Sequence, residues 1–254
     1  MRLTGHHAIV TGGGTGIGAA IARAFAAEGA KLTLVGRREE PLRLTAAQLG
    51  SPATVAAADV TDREQVEAAF ASAREANGPI TILVNNAGAA ESAPFAKVTP
   101  EAWRRTLAVN LDALLHCCQA ALPDLLAAPA GRIVTVASTA GLKGYAYTAP
   151  YVAAKHGAVG LTRALAAEFA RTSLTVNAVC PGFTDTEMVA GAVAKIEAKT
   201  GRSEAEARAE LSKFNPQGRL VAAEEVAAAV LWLCLPESGS INGQAIAVAG
   251  GEVM

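Results

Sequence analysis

A doubly wound α/β fold with a parallel sheet is predicted for this chain by three features. Seven short β-rich runs alternate with helical stretches along the 254 residues, and such alternation builds a parallel sheet covered by helices. Runs such as Ile82-Leu83-Val84 are apolar at every position, as strands buried on both faces must be. The chain holds 59 Ala and 24 Gly against 11 aromatic residues. A core of small and aliphatic side chains lets helices lie close on the sheet.

Each element has its own signal. Ala8–Thr11 reads as the first strand, followed by a helix whose Ile17, Ile21 and Phe25 recur at i, i+4 and i+8. Leu32–Gly36 and Thr54–Ala58 are the next strands, and Thr61-Asp62-Arg63-Glu64 has the form of a capping box opening a helix. Ile80–Val84 is the fourth strand. Thr99-Pro100-Glu101 places a cap, a first-position proline and a first-turn acid at the start of the longest helix. Trp103, Leu107, Leu111, Leu114 and Leu115 form its apolar stripe. Arg132–Ala137 precedes a helix striped by Leu161, Leu165 and Phe169, and Thr175–Cys180 is the sixth strand. Residues Met188 to Phe214 are charged and helix-prone and interrupt the alternation. A last helix (Val226, Val230, Leu233) and strand (Ala245–Val248) follow. No linker or repeat divides residues 1–254, which are read as one domain.

Composition bounds the function. The net charge is −1, with 51% apolar and 18% charged residues. That excludes disorder and argues against a nucleic-acid or anionic-membrane partner. Cys117, Cys118, Cys180 and Cys234 have no metal-ligand spacing and read as buried thiols in a reducing compartment. With no apolar run of membrane-spanning length and no apolar segment before the first strand, a cytoplasmic protein is expected.

Several segments carry chemistry. Thr11-Gly12-Gly13-Gly14-Thr15-Gly16-Ile17-Gly18 joins the first strand to its helix. A glycine-rich turn there brings backbone amides and a helix N-terminus to a pyrophosphate. At the end of the second strand stands Gly36-Arg37-Arg38. A bare ribose 2′-hydroxyl wants a carboxylate at that place and a 2′-phosphate wants arginine, so NADP(H) is expected over NAD(H). The alternative is that Arg37 and Arg38 only solvate a helix start. Asp59-Val60 follows the third strand, where Asp59 either accepts from an adenine amino group or caps the next helix. Asn85-Asn86-Ala87-Gly88 ends the fourth strand with the small residues that a close approach to a ribose requires. Tyr151 and Lys155 sit at i and i+4 on one helix face. Ser138 ends the fifth strand thirteen positions before Tyr151, and Asn110 lies inside the long helix. His6, His7, His116 and His156 are read as structural.

Taken in order, Thr11–Gly18, Asp59-Val60, Asn85–Gly88, Asn110, Ser138, Tyr151/Lys155 and Pro181-Gly182 resemble the short-chain dehydrogenase/reductase family over essentially the whole chain. The resemblance implies a Rossmann-type seven-stranded sheet and interconversion of a ketone and a secondary alcohol. It implies Tyr151 as general acid or base, Ser138 on the carbonyl oxygen, Lys155 on the nicotinamide ribose and Asn110 holding a relay water. It adds Pro181, Gly182, Thr184 and Thr186 to the cofactor contacts made by Gly12, Gly14, Thr15, Gly16, Ile17, Gly18, Arg37, Arg38, Asp59, Val60, Asn86, Ala87 and Gly88. A nearby ammonium and an oxidised nicotinamide would both lower the Tyr151 pKa.

The surroundings of Tyr151 and the run Thr175–Phe183 are similar to bacterial 3-oxoacyl thioester and polyketide ketoreductases. Residues 186–214 resemble the lid of 3-hydroxybutyrate dehydrogenases. Expected pocket walls are Met188, Val189, Val193 and Ile196, with Tyr145, Tyr147 and Phe183. Thr15 departs from the basic residue that many NADPH-using members carry in the glycine turn, so the cofactor expectation rests on Arg37 and Arg38. The resemblance also implies a homotetramer. A ketone reductase using NADPH is the leading reading. An NAD-dependent secondary-alcohol dehydrogenase and an inactive nucleotide sensor are the alternatives.

Overall fold

The computed structural model describes residues 1–253, and its centre is one parallel sheet. The strands are β1 His7–Thr11, β2 Lys31–Gly36, β3 Ala53–Ala57, β4 Ile82–Asn85, β5 Arg132–Val136, β6 Thr175–Pro181 and β7 Ala245–Val248. Their order is β3-β2-β1-β4-β5-β6-β7. The chain winds outward from β1 in one direction, then returns to β4 and winds the other way. The strand order therefore reverses between β1 and β4, and loops at their C-terminal ends leave a crevice there.

The helices are α1 Gly16–Ala27, α2 Glu39–Ala47, α3 Arg63–Asn77, α4 Pro100–Leu107, α5 Ala113–Ala127, α6 Ala149–Glu168, α7 Glu187–Thr200, α8 Glu204–Ser212 and α9 Ala223–Cys234. Alternate strand residues feed two cores. Val10, Leu34, Val84 and Val134 pack with Ile21 and Phe25 of α1 and Val226, Val230 and Leu233 of α9. Their neighbours Ile9, Val35, Leu83 and Ile133 pack on the other face with Phe70 of α3 and Leu125 of α5. All four cysteines are free and buried, and none of the helices is long and apolar enough to cross a membrane.

Four sequence expectations change. The strand edges shift by one or two residues. The long helix is broken into α4 and α5 by a π-turn over Ala108–Asp112, with Asn110 at its centre. The α3 cap is Asp62 rather than Thr61: the Asp62 carboxylate accepts from the backbone amides of Glu64 and Gln65. The Leu161/Leu165 stripe is only half-buried. The deeply buried face of α6 is made instead by Ala154, Lys155, Ala158, Val159, Thr162 and Ala166. Small residues there let α6 sit close to the π-turn, as the Gly157 backbone against Leu111 shows.

Candidate active site

The turn after β1 is shaped by what its glycines exclude. Gly12 has φ +64, and a Cβ there would meet Asn86 Nδ2 at 2.8 Å. Asn86 itself is a strut, its amide donating to the carbonyls of Thr11 at 2.9 Å and Gly12 at 3.2 Å. The backbone amides of Asn86 and Ala87 both donate to the Thr11 hydroxyl at 3.0 Å. The ends of β1 and β4 are thus stapled together behind an open cradle. Thr15 caps α1 with extended backbone, and no acid sits in the first turn of that helix. Its positive end faces the crevice unopposed, the arrangement that suits a phosphate.

A cavity of about 800 Å³ runs from this cradle to α7. Of the expected cofactor residues, Gly12, Thr15, Gly16, Ile17, Arg38, Asn86, Ala87, Gly88, Pro181, Gly182, Thr184 and Thr186 line it, with Tyr151 and Lys155. A dinucleotide fits such a cleft: glycine backbone at one end, polar side chains at the other, and no Cβ obstructing the turn.

Ser138, Tyr151 and Lys155 converge at the inner end. Ser138 follows β5 and caps a short 3-10 turn, its Oγ accepting from Ala140 N at 3.1 Å. Ser138 and Tyr151 both line the cavity. Lys155 is 4% exposed and donates to the Val136 carbonyl at 2.9 Å. Its Nζ lies 5.7 Å from the centre of the Tyr151 ring. Burial pulls the Lys155 ammonium down to about 8. The expected lowering of the Tyr151 pKa is not found. Burial raises it above the ordinary phenol value, and the nearby Ser138 hydroxyl opposes that rise.

Other expected residues stand elsewhere. Gly14 and Gly18 lie behind the turn rather than in the cavity wall, Gly18 because its Cα abuts the Gly12 carbonyl. Arg37 points to Asp59, with Nη1 to Oδ2 at 4.0 Å, and is exposed. Asp59 Oδ1 accepts from both the amide and hydroxyl of Thr61, at 3.0 and 2.8 Å, so it forms the turn before α3. Val60 is buried, and its carbonyl meets His116. Asn110 is also buried, away from the cavity wall. Its amide donates to the carbonyls of Ala89 and Thr106 at 2.8 and 2.9 Å, and its Oδ1 accepts from Ala89 N. It ties the π-turn to the loop after Gly88.

The substrate side also differs in part. Tyr145, Phe183, Met188, Val189 and Ile196 line the cavity. Tyr147 does not: it is 66% exposed at φ 65, and its carbonyl accepts from Ala93 N. Val193 faces α8 and packs with Ala207 and Leu211. The sequence reading missed Phe214, which packs on Phe183 with ring centres 5.2 Å apart. It also missed Glu252, which accepts from the Tyr145 hydroxyl. Neither has a local signal, since both come from distant parts of the chain. The four histidines stand outside the cavity wall; His7, for instance, is held between Gly78 O and Thr33 Oγ1.

A family model described as short chain dehydrogenase matches residues 6–197. A granaticin polyketide synthase putative ketoacyl reductase of Streptomyces violaceoruber is 40% identical over 96% of this chain and 92% of its own. The D-beta-hydroxybutyrate dehydrogenase of Cupriavidus necator is 36% identical over 99% of each chain. The crystal structure of a single-residue variant of actinorhodin polyketide ketoreductase with NADPH superposes with a TM-score of 0.94 at 37% identity, covering 99% of this chain and 98% of that one. With its reversed-order parallel sheet and its cradle facing Ser138, Tyr151 and Lys155, this chain belongs to the short-chain dehydrogenase/reductase family, NAD(P)-binding oxidoreductases acting on CH–OH and C=O groups.

Proposed function

We propose that this protein reduces a prochiral ketone of the 3-oxoacyl type to a secondary alcohol with NADPH. The convergence of Ser138, Tyr151 and Lys155 at the inner end of the glycine-cradled cavity carries the reading. A bound nicotinamide supplies the hydride. The Ser138 hydroxyl orients the carbonyl oxygen, and Tyr151 delivers the proton to that oxygen as its charge develops. Burial keeps the phenol protonated, the form that a reductase needs. Lys155, held by Val136 in the cavity wall, would donate to the ribose of a bound nicotinamide. Asn110 positions the floor beneath Gly88.

NADPH preference rests on Arg38 as the cavity-lining arginine, with Arg37 beside it. A charge-assisted contact to a 2′-phosphate is worth about 1.5–3 kcal/mol. Arg38→Asp is therefore expected to raise the NADPH KM by roughly tenfold to a hundredfold and to leave the NADH KM far less changed. Absorbance at the NADPH band, followed over acetoacetyl and longer 3-oxoacyl thioesters, aryl ketones and cyclic diketones, tests cofactor and substrate together. Equal use of NADH and NADPH by the unaltered enzyme would remove the arginine argument and favour the oxidative, NAD-dependent alternative.

We read residues 186–214 as a lid. Val189, Val193, Ala207 and Leu211 form a small core of their own, separate from those on the sheet, and Gly201 at φ 70 turns the chain between α7 and α8. A unit with its own core can move as a body. We also propose a cytoplasmic homotetramer. Ala164 and Ala167 present a small-residue face on α6, and Trp103 and Leu115 are apolar and exposed on α4 and α5. Light scattering is expected to give a particle four times 25.7 kDa, and a monomer would contradict it.

A further inference from the structure

Glu252 lies near the end of the chain, yet its side chain is only 1% exposed. Its carboxylate accepts from the Tyr145 hydroxyl and pairs with Lys143 Nζ at 3.1 Å. Tyr145 and Thr139 oxygens are 2.6 Å apart. A carboxylate only accepts, so the Tyr145 proton goes to Glu252 and the Thr139 hydroxyl donates to Tyr145. One chain of hydrogen bonds therefore runs from the residue after Ser138, through Tyr145, to the tail.

The other oxygen, Oε2, is buried without a partner among the described residues. It lies directly behind Gly182, where a Cβ would meet it at 2.8 Å. Gly182 and Tyr145 both line the cavity. The Tyr145 ring meets Phe183 edge-on at 6.2 Å and Phe214, just past α8, at 5.7 Å. A half-paired buried carboxylate is costly, and an apolar residue would fill the space more cheaply. What only a carboxylate-like group achieves here is to take the Tyr145 proton and set the ring against the two phenylalanines.

We propose that Glu252 is a positioning residue for the substrate: it holds Tyr145 as the cavity wall on which the bulk of a ring-bearing ketone rests. This deepens the ketone-reductase reading and rests on it. Glu252 touches no reacting atom, so its effect falls on KM rather than kcat.

The test compares the full-length enzyme with Glu252→Ala, Glu252→Gln and Tyr145→Phe, using 1-tetralone and an acetoacetyl thioester with NADPH. Losing one hydrogen bond is expected to raise the 1-tetralone KM up to about tenfold in Glu252→Ala and Tyr145→Phe. In Glu252→Ala kcat, NADPH affinity and the thioester KM should stay near the unaltered values. Glu252→Gln should restore the KM, because its amide oxygen takes over both partners and its NH₂ occupies the place of Oε2. The Glu252→Ala/Tyr145→Phe pair should be no worse than either single variant, as expected when two residues act as one unit. If Glu252→Ala instead lowers kcat, NADPH affinity and both substrates' rates together, the role is structural and the proposal falls. If Glu252→Gln behaves like alanine, it falls as well. Should the unaltered enzyme reduce no ketone, the functional reading is what fails. Near-ultraviolet circular dichroism then decides the positioning claim: the tyrosine signal is lost in Glu252→Ala and kept in Glu252→Gln if the claim holds, and unchanged in both if it does not.

Discussion

Tyr151→Phe is expected to lower ketone reduction by about a thousandfold, while NADPH binds as before. The substitution removes one oxygen. The ring, its neighbour Lys155 at 5.7 Å and the Lys155 bond to Val136 all remain, so the cavity keeps its shape. What disappears is the proton donor that lines the cavity with Ser138. The pH dependence is a second signature. Burial raises the Tyr151 pKa above the ordinary phenol value, so the protonated form dominates across the neutral range. Reduction, which uses that form, should be flat until Lys155, pulled down to about 8, loses its proton. Oxidation of the alcohol needs the phenolate, and its kcat/KM should climb about tenfold per pH unit below the pKa. Steady-state rates with fluorescence titration of NADPH check both points. A phenylalanine variant turning over at the unaltered rate would end the proposed mechanism.

Gly18→Ala is expected to cost about 2–3 kcal/mol of stability, in the range of an overpacked core, and to weaken NADPH binding by roughly a hundredfold. The reason is geometric. A Cβ on Gly18 would lie 2.1 Å from the Gly12 carbonyl oxygen and 2.6 Å from Asn86 Nδ2. Neither neighbour can retreat. Asn86 is bonded to both Thr11 and Gly12, and α1 is anchored in the core by Ile21 and Phe25. Relief requires pushing the turn into the cavity that it shapes. In a domain of this size the stability loss corresponds to a fall of about 4–12 °C in Tm. Gly144→Ala, in a loop outside the cavity wall with nothing within 4 Å of the added carbon, is the control and should lower neither Tm nor NADPH affinity. An unchanged melting curve and affinity for Gly18→Ala would show that the turn is looser than its contacts imply.

Local chemistry made most of the fold legible. All-apolar strands, helical spacing of Ile21 with Phe25, and the cap and proline before α4 each need only neighbours in sequence. The glycine turn was readable for the same reason, whereas Ser138 and Tyr151/Lys155 stood out through the order of motifs that resembles the family. Asn110 was found, but spacing could not show that its side-chain amide is bonded to Ala89 and Thr106. Asp59 likewise had two readings, and its bonds to Thr61 support the turn-forming one.

The residues on the substrate side were the least legible. Tyr147 and Tyr145 are two positions apart and chemically alike, yet one faces solvent and the other lines the cavity. The partners that separate them, Glu252 and Phe214, are far along the chain. From its sequence alone this protein is a parallel α/β chain with a glycine-rich turn after the first strand, since periodicity and short-range chemistry determine these, and its motif order resembles the short-chain dehydrogenase/reductase family. The tertiary structure alone decided which arginine reaches the cavity, how the Tyr151 pKa moves and what holds the substrate wall. Those depend on burial and on contacts between residues that only folding brings within hydrogen-bond distance.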